Sequence, residues 1–572
     1  MNILYCGQLN KTHINKKVTL YGWVNNFRNL GNIIFIEIRD WTGIIQIFVN
    51  INKKEIFLQA SKVRHEFCVK VQGIVCVRPK NQINHNMSTG FIEICTTNLI
   101  ILNESKPLPI DNNKKNIEEK RLKFRYLDLR RPIMINRLKT RAKVNNIVRN
   151  FMNTNKFLEI ETPILSKITL EGAKNFLIKT QQEKFFSLPQ SPQIFKQLLM
   201  ISGFNRYYQI TKCFRNEDSR SDRQPEFTQI DIEASFTTSK KIIKITEKLI
   251  CKIWKKILGI KLKKFQQITY YNSIKKFGSD KPDLRNPIEF YDITNIIKND
   301  KLKMIFELDN IKHKIISMRL PNCIKFNQQV IDNYYKYKKL YKIKNKEILW
   351  IKIYQYHNET YEIKSSIINI INQKTINNII IKSKGCVGDT LILLHFNNDK
   401  NIIKYMNKLR INFIKNLNII NNEKWSPLWI INFPMFKQLD DKTIIPTHHP
   451  FSAPKKIKNI NNLIKRPLSI ISDSYDMIIN GYEIGSGSVR INTSKMQKII
   501  FDILNLNTKQ QKKMFDFFLN ALKYGTPPHA GFAFGLDRIM MLLTNTNNIR
   551  DIIAFPKTTS GIDLMTDSPN YL

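Results

Sequence analysis

Residues 207–235, YYQITKCFRNEDSRSDRQPEFTQIDIEAS, decide how the rest of the chain is read. Two β-prone runs flank a charged loop, the pattern of a hairpin. Alternation along the first run puts Gln209, Thr211 and Arg215 on one face. On the second, Phe227, Gln229, Asp231 and Glu233 share a face while Ile230 and Ile232 take the other. A half-buried strand ordinarily turns its polar residues to water. Here one face gathers an arginine, two carboxylates and an aromatic ring, with Arg220 and Arg223 in the loop. Such a surface suits a ligand that is anionic, flat and aminated. A solvated hairpin face is the plain alternative.

The segments around this hairpin supply complementary pieces. Upstream, FFSLPQSPQIFKQLLMISG reads as a strand, a Pro-punctuated turn and a helix, on which Gln193 and Lys196 share a face at i and i+3. Before it, Val144, Ile147, Val148 and Phe151 mark a helix over Arg137–Asn153, followed by a short strand at 157–160 that Pro163 ends. This helix and strand suit an oligomer interface or ordinary core packing. Downstream, WSPLWIINFPMF is a buried strand type. MIINGYEIGSGSVRI is a strand and glycine-rich turn with Asp476, Glu483 and Arg490, and GFAFG runs into a helix with Arg538 in its first turn.

None of the 19 glycines precedes a lysine, so the GxxxxGK[ST] phosphate loop is absent, and no GxGxxG opens a helix. GSGS at 485–488 is short and mid-strand. Phosphate binding therefore falls to arginines, Arg215 and Arg538, whose guanidinium both forks onto phosphate and stacks on flat rings. Phe227 and Arg538 suit the two sides of an adenine. Asp476 and Glu483 are hard oxygen donors of the kind that hold Mg²⁺ alongside phosphates; solvated acids are the alternative. His448 and His449 are adjacent with no third ligand in view, which fits a hydrogen-bonding histidine better than zinc.

At the N-terminus, five β-rich runs between residues 18 and 102 are separated by turns at 30–32, 41–43 and 88–90, as in a small OB-type barrel. Phe27, Arg28, Phe35, Gln46, Arg78 and Glu93 are candidates for single-stranded nucleic acid, with Phe35 as barrel filling the alternative. Residues 105–133 read as a polar connector. Residues 288–422, poor in glycine and rich in Lys, Ile, Tyr and Asn, read as an inserted α+β domain.

The formal net charge of +46 invites an anionic partner. Lys, Ile and Asn saturate the whole chain, however, so much of that charge is compositional drift. The eight cysteines are scattered without CxxC spacing, consistent with reduced thiols. The first residues lack a signal-peptide pattern and no run of about 18 apolar residues occurs; a cytoplasmic protein without a membrane span is expected.

Taken in order, these segments resemble the class II aminoacyl-tRNA synthetases, and within them the bacterial-type aspartyl-tRNA synthetase family. The helix–strand–Pro163 segment resembles the first class motif, FRNEDSRSDRQPEFTQID the second and AFGLDR the third. CGQL, GWVNNFRNLG, RYLDLRRP, LPQSPQIFKQLLM, FGSDKPDLRNP, THHPF, NGYEIGSGSVRI, KYGTPPHAG and NIRDIIAFPKT extend the likeness over essentially the whole chain.

The resemblance implies a multidomain α+β fold. Its parts are an OB-type anticodon-binding barrel (1–104), a hinge (105–133), an antiparallel-sheet catalytic domain in two pieces (134–287 and 423–572, the second with the C-terminal tail) and an inserted GAD-type domain (288–422). It implies an aspartate–tRNA ligase that makes aspartyl-adenylate from aspartate and ATP, then esterifies the 3′ end of tRNA(Asp), as a homodimer with Pro163 at its interface.

By the same resemblance Arg215 binds the α-phosphate of ATP, and Arg538 the γ-phosphate and adenine. Phe227 stacks the base, and Asn216, Glu217, Gln224, Gly535, Leu536 and Asp537 complete the nucleotide site. Asp476 and Glu483 hold Mg²⁺, and Arg215, Glu483 and Arg538 are the catalytic set. Glu171, Gln193, Asp231 and His448, with Arg215, surround aspartate's amino and α-carboxyl end, and Lys196 and Arg490 clamp its side chain. Arg28, Phe35, Gln46 and Glu93 read the anticodon.

Four departures from the family pattern stand out: Leu170 in TLEGA, Asn432 and Lys437 where acids are usual, and HFNND in place of the inserted domain's Gly-Ala-Asp triplet. An enzyme that also charges tRNA(Asn), an asparagine or lysine enzyme of the same subclass, and a non-catalytic RNA-binding protein of this fold are the alternatives.

Overall fold

The computed structural model describes residues 4–111, 116–168, 172–217, 220–297, 313–323, 349–357, 360–367, 372–397, 401–417, 420, 424–455 and 460–570. The chain divides into two compact units. One comprises Met1–Lys139, Ala554–Thr558 and Ile562–Leu572; the other Thr140–Ile553 and Thr559–Gly561.

In the first unit, strands Lys17–Asn29, Ile33–Arg39, Ile44–Asn50, Ile92–Asn103 and Cys68–Val77 close into a barrel in that order. The first and last of these pair antiparallel to close it, Ile47 pairs in parallel with Ile94, and the helix Lys54–Lys62 packs beside the barrel. Period-two alternation sorts the faces. Ile34, Ile36, Ile38, Ile45 and Ile47 are buried inside, while Phe35 and Glu37 point outward between them and pair with Arg28 and Gln46 on neighbouring strands. Phe35 is therefore not barrel filling. The stretch expected as a connector contains two short helices, Glu118–Lys123 and Arg125–Asp128. Buried Asp128 accepts from Arg121, Arg125 and Arg131, and buried Glu66 from Arg39 and Arg130.

The second unit is built on an eight-stranded sheet. Its order is Gln266–Thr269, Pro427–Ile431, Ser474–Ile479, Tyr482–Val489, His529–Gly535, Glu226–Ser235, Arg206–Phe214 and Leu158–Glu159. Only the two edge pairings are parallel. The hairpin forms as its alternation implies, with Glu226 opposite Phe214 through Ala234 opposite Arg206.

Ile230 and Ile232 pack with Phe532, Phe534, Trp429 and Tyr475 into the main core. The helices Ser239–Leu258 and Leu536–Leu543 add Leu249, Ile253, Trp254, Ile539 and Met540. Each such side chain contributes roughly 1.5–3 kcal/mol on burial. The opposite face of the sheet stays polar.

A separate five-stranded antiparallel sheet (Phe290–Asp292, His313–Leu320, Thr390–Asn397, Leu349–His357, Thr360–Ser365) forms the expected α+β insertion, with helices Gln373–Lys382 and Asn401–Leu417. Among the described residues no helix is long and apolar enough to cross a membrane.

Candidate active site

The polar face of the eight-stranded sheet opens into a cleft of ≈ 390 Å³. The central strands supply its floor, and the helix Gln193–Ile201, the hairpin loop and residues 448–452 its walls. On that helix Gln193, Lys196, Gln197 and Met200 are buried, the i, i+3, i+4, i+7 face expected of one packed on a sheet. Gly485 and Gly487 lie in the floor. A Cβ on Gly487 would stand 2.3 Å from the Gly531 carbonyl oxygen, so GSGS is glycine-rich for close strand packing, not for a phosphate loop.

At one end of the cleft four charged side chains are fully enclosed. Lys196 Nζ donates to Asp231 at 2.8 Å and lies 3.1 Å from Glu233. Arg490 forks onto Glu233 at 3.0 and 3.1 Å and donates to Ser488 Oγ at 2.8 Å. Burying charges is costly, and only close pairing with further hydrogen bonds offsets it. For Glu233, burial pushes the carboxyl up, but Arg490 and Lys196 outweigh it and hold it below its usual value. Asp231 fares differently: burial dominates and pushes it up to about 6, against the pull of Lys196.

Three buried polar atoms on this cleft's side chains, Asp231 Oδ2, Gln193 Nε2 and His448 Nδ1, have no hydrogen-bond partner. Buried polar atoms are normally satisfied; here an acceptor and a donor wait on the cleft wall.

The other end is more open. Arg215 follows its strand, its N–H donating to the Pro225 carbonyl at 2.9 Å, and its guanidinium lies 5.0 Å from the Phe227 ring centroid. Arg538 stands in the first turn of its helix, donating to the Glu483 carbonyl at 2.9 Å and to Asp222 at 3.3 Å. The Glu483 carboxylate is ion-paired with Lys281. Burial would raise Glu483, but Lys281 and Arg538 lower it. His448 Nε2 sits 3.1 and 3.2 Å from the Asp476 carboxylate oxygens; burial works against its protonation, and Asp476 outweighs it and raises the imidazole.

Most residues expected from the sequence converge here. Gln193, Lys196, Arg215, Glu217, Gln224, Phe227, Asp231, His448, Glu483, Arg490, Gly535, Asp537 and Arg538 all line the cleft. Three do not. Asp476 is not among the lining residues but is held by His448, which is. Asn216 is exposed and bridges Lys174 instead. Leu536 is fully buried in the main core, because the helix that presents Arg538 must turn an apolar residue inward. Asp537 lines the cleft yet is tied to the Thr228 N–H and Arg141. Glu171 and Leu170 lie outside the described residues.

Among the described residues no three His, Cys, Asp or Glu side chains form a metal cluster by themselves. Asp476 and Glu483 are oxygen donors beside Asp280, whose carboxyl burial raises. That donor set fits a Mg²⁺ completed by substrate phosphates better than a closed protein cage.

Sequence reasoning missed the anchoring role of Glu233, though the alternation placed it on the right face. It also missed Lys281 and Asp222, which only convergence in space reveals. In the barrel, Arg28 Nη2 donates to Gln46 at 3.4 Å and Gln46 Nε2 to Glu93 at 2.8 Å, so three of the expected readers form one chain on the outward face that also carries Phe35.

A family model described as tRNA synthetases class II (D, K and N) matches residues 117–559, and an OB-fold nucleic acid binding domain model matches residues 18–92. The chain is 48% identical over 578 residues to the aspartate–tRNA ligase of Blochmanniella pennsylvanica, with 100% of both covered. It is 50% identical over 579 residues to that of Buchnera aphidicola subsp. Baizongia pistaciae, again with 100% of both covered. A solved asparaginyl-tRNA synthetase from Pyrococcus horikoshii, complexed with asparaginyl-adenylate, shares the fold at a TM-score of 0.62 and 19% identity over 98% of each chain.

Proposed function

This chain belongs to the class II tRNA synthetases of the aspartate, lysine and asparagine group, and to its aspartate–tRNA ligase family, and we propose that it charges tRNA(Asp) with aspartate at the expense of ATP. The observation that carries the aspartate reading is the enclosed end of the cleft. Lys196 has three N–H donors and Arg490 five. Their hydrogen bonds to Asp231, Glu233 and Ser488 leave donors over for one more carboxylate. Asp231 Oδ2 suits an incoming ammonium, and Gln193 Nε2 an incoming carboxylate oxygen. An asparagine amide would leave the two cations short of an anion, at roughly 1.5–3 kcal/mol for each charge-assisted bond lost.

The first step follows from these positions. The α-carboxylate of aspartate is already ionised at neutral pH and attacks the α-phosphorus without a general base. Its P–O bond forms as the bond to pyrophosphate breaks. Arg215 and Arg538 neutralise charge building on the phosphate oxygens, and Phe227 offers the adenine a flat partner. Alignment and charge stabilisation supply the rate. Asp476 and Glu483 would hold Mg²⁺, which supplies Lewis-acid charge neutralisation at the phosphates. In the second step the terminal ribose hydroxyl of the tRNA attacks the activated carbonyl and AMP leaves.

The remaining assignments belong to the same proposal. The outward barrel face bearing Arg28, Phe35, Gln46 and Glu93 meets the anticodon. The proposed domain limits remain 1–104, 105–133, 134–287 with 423–572, and 288–422, while the compact units part after Lys139 and group Ala554–Thr558 and Ile562–Leu572 with the first; the protein works in the cytoplasm as a homodimer. Support for the dimer comes from exposed Ile164, Leu165, Leu177, Ile178, Phe185 and Phe186, brought together by the Ser166–Ser187 bridge and the 177–187 hairpin, next to exposed Pro163. An apolar cluster of that kind marks an association surface.

Charging of purified tRNAs with labelled aspartate tests the proposal. Aspartyl-tRNA(Asp) formed in an ATP-dependent way is the expected result; no charging of tRNA(Asp) would overturn it.

A further inference from the structure

The loop between helix Tyr270–Phe277 and strand Phe290–Asp292 brings Lys281 to the cleft. Its ammonium pairs with the Glu483 carboxylate, while Arg538 donates to the carbonyl of the same residue. Two cations thus flank Glu483 at the open end of the cleft.

A salt bridge tying the loop to the sheet is the simpler explanation. The loop, however, is fastened without it. Ser273 Oγ donates to the Ser279 carbonyl at 2.6 Å, and the Lys281 N–H to Ser279 Oγ at 3.0 Å. Beyond Lys281, Arg410 reaches in from helix Asn401–Leu417 of the inserted domain. Its guanidinium donates to the carbonyls of Ile288, Asp283 and Asn286 at 2.8, 3.0 and 3.1 Å and covers the Phe277 ring at 5.0 Å. Arg410 is 1% exposed and meets carbonyls there rather than a carboxylate; burial pushes its pKa down to about 10. So costly a placement fixes backbone at the base of the loop. The part left to move is the four-carbon stem of Lys281, a point charge on a flexible arm.

We propose that Lys281 is a further triphosphate-binding side chain, held at the phosphate end of the cleft by a loop that the inserted domain clamps through Arg410. Its ammonium exchanges the Glu483 carboxylate for phosphate oxygens when nucleotide enters, and it stays with the pyrophosphate that leaves. Lys281 is the binding residue and Arg410 a positioning residue. The inserted domain thereby serves the nucleotide site.

This inference rests on the ATP reading above, and titration calorimetry on the full chain separates the two. ATP, inorganic pyrophosphate and aspartate are titrated in turn. Lys281→Met should weaken ATP and pyrophosphate by about ten- to a hundredfold, the scale of one charge-assisted contact, with aspartate affinity unchanged. Lys281→Arg should recover most of the loss. Arg410→Lys should weaken ATP by a smaller factor, again sparing aspartate.

Lys281→Met binding ATP and pyrophosphate like wild type would overturn the inference, as would equal loss of aspartate affinity, which would make the residue structural. Arg410→Lys with unchanged ATP affinity, or with aspartate affinity lost as well, would overturn the clamp. Wild-type protein that binds neither ATP nor pyrophosphate would instead sink the ATP reading itself.

Discussion

The two ends of the cleft handle charge in opposite ways. At the enclosed end, Lys196 and Arg490 face Asp231 and Glu233 with every group nearly sealed from water. At the open end, Arg215, Lys281 and Arg538 are partly exposed, and they rest on a ring, a carbonyl and carboxylates of their own protein. Enclosure fixes the cations to within a hydrogen bond and suits recognition of one small amino acid. Looser pairing leaves room for a larger, more highly charged ligand to displace the partners it finds. Specificity is expected to be built at the first end, and phosphate handling at the second.

The sharpest way to break this division is Arg490→Leu. It removes a buried cation and leaves Glu233 with Lys196 alone. The efficiency of aspartate use should fall by about a thousandfold, the scale of breaking a buried hydrogen-bonded charge pair, while ATP affinity by titration stays near wild type. Equal loss of both ligands would show that the ends are not separate.

Gly531→Ala tests the enclosed end from behind. Gly531 lies opposite Glu233 on the next strand, and a Cβ there would fall 1.8 Å from Glu233 Oε2. The expected outcome is a stability loss of about 1–3 kcal/mol in denaturant melts, with weakened aspartate binding. An unaffected aspartate site would mean that Glu233 does not anchor the cations.

A pH profile refines the same comparison. Asp231 is pushed up to about 6, chiefly by burial, so it binds a proton more tightly folded than unfolded. Its contribution to folding is therefore present below its ordinary value of 3.8 and lost as pH rises through about 6. For function the sign is the reverse, since the proposed partner of the substrate ammonium must be ionised. Values of kcat/KM for aspartate should drop as pH falls through about 6, and Asp231→Asn should flatten that limb. A profile unchanged by the substitution would remove Asp231 from the site.

The smallest effect is expected from the other compact unit. Arg28→Ala should weaken tRNA binding by about tenfold or less and reduce its salt dependence slightly, with pyrophosphate exchange unaltered. Altered exchange would contradict its assignment to tRNA alone.

Much of this was legible in the sequence for definite physical reasons. The hairpin's period of two assigns Asp231 and Ile230 to opposite faces whatever their neighbours, and the i, i+3 spacing of Gln193 and Lys196 does the same on a helix. The missing phosphate loop points to Arg215 and Arg538 by elimination. Roles that depend on contact were not legible. Glu233 becomes an anchor only because Arg490, 257 residues later, folds against it. Leu536 looked like part of a nucleotide motif, yet helix geometry turns its side chain into the core. Lys281 sits in FGSDKPDLRNP, a segment that carries the family likeness without giving its lysine a role, and neither Glu483 nor Arg410 is near it in the chain.

Amino-acid-dependent pyrophosphate exchange tests the central claim most directly. With ATP present, aspartate should support exchange, and asparagine and lysine should support it at least a hundredfold less well, as the loss of two charge-assisted bonds implies. No exchange with aspartate, or exchange with asparagine at the same rate, would contradict the account of the enclosed end of the cleft.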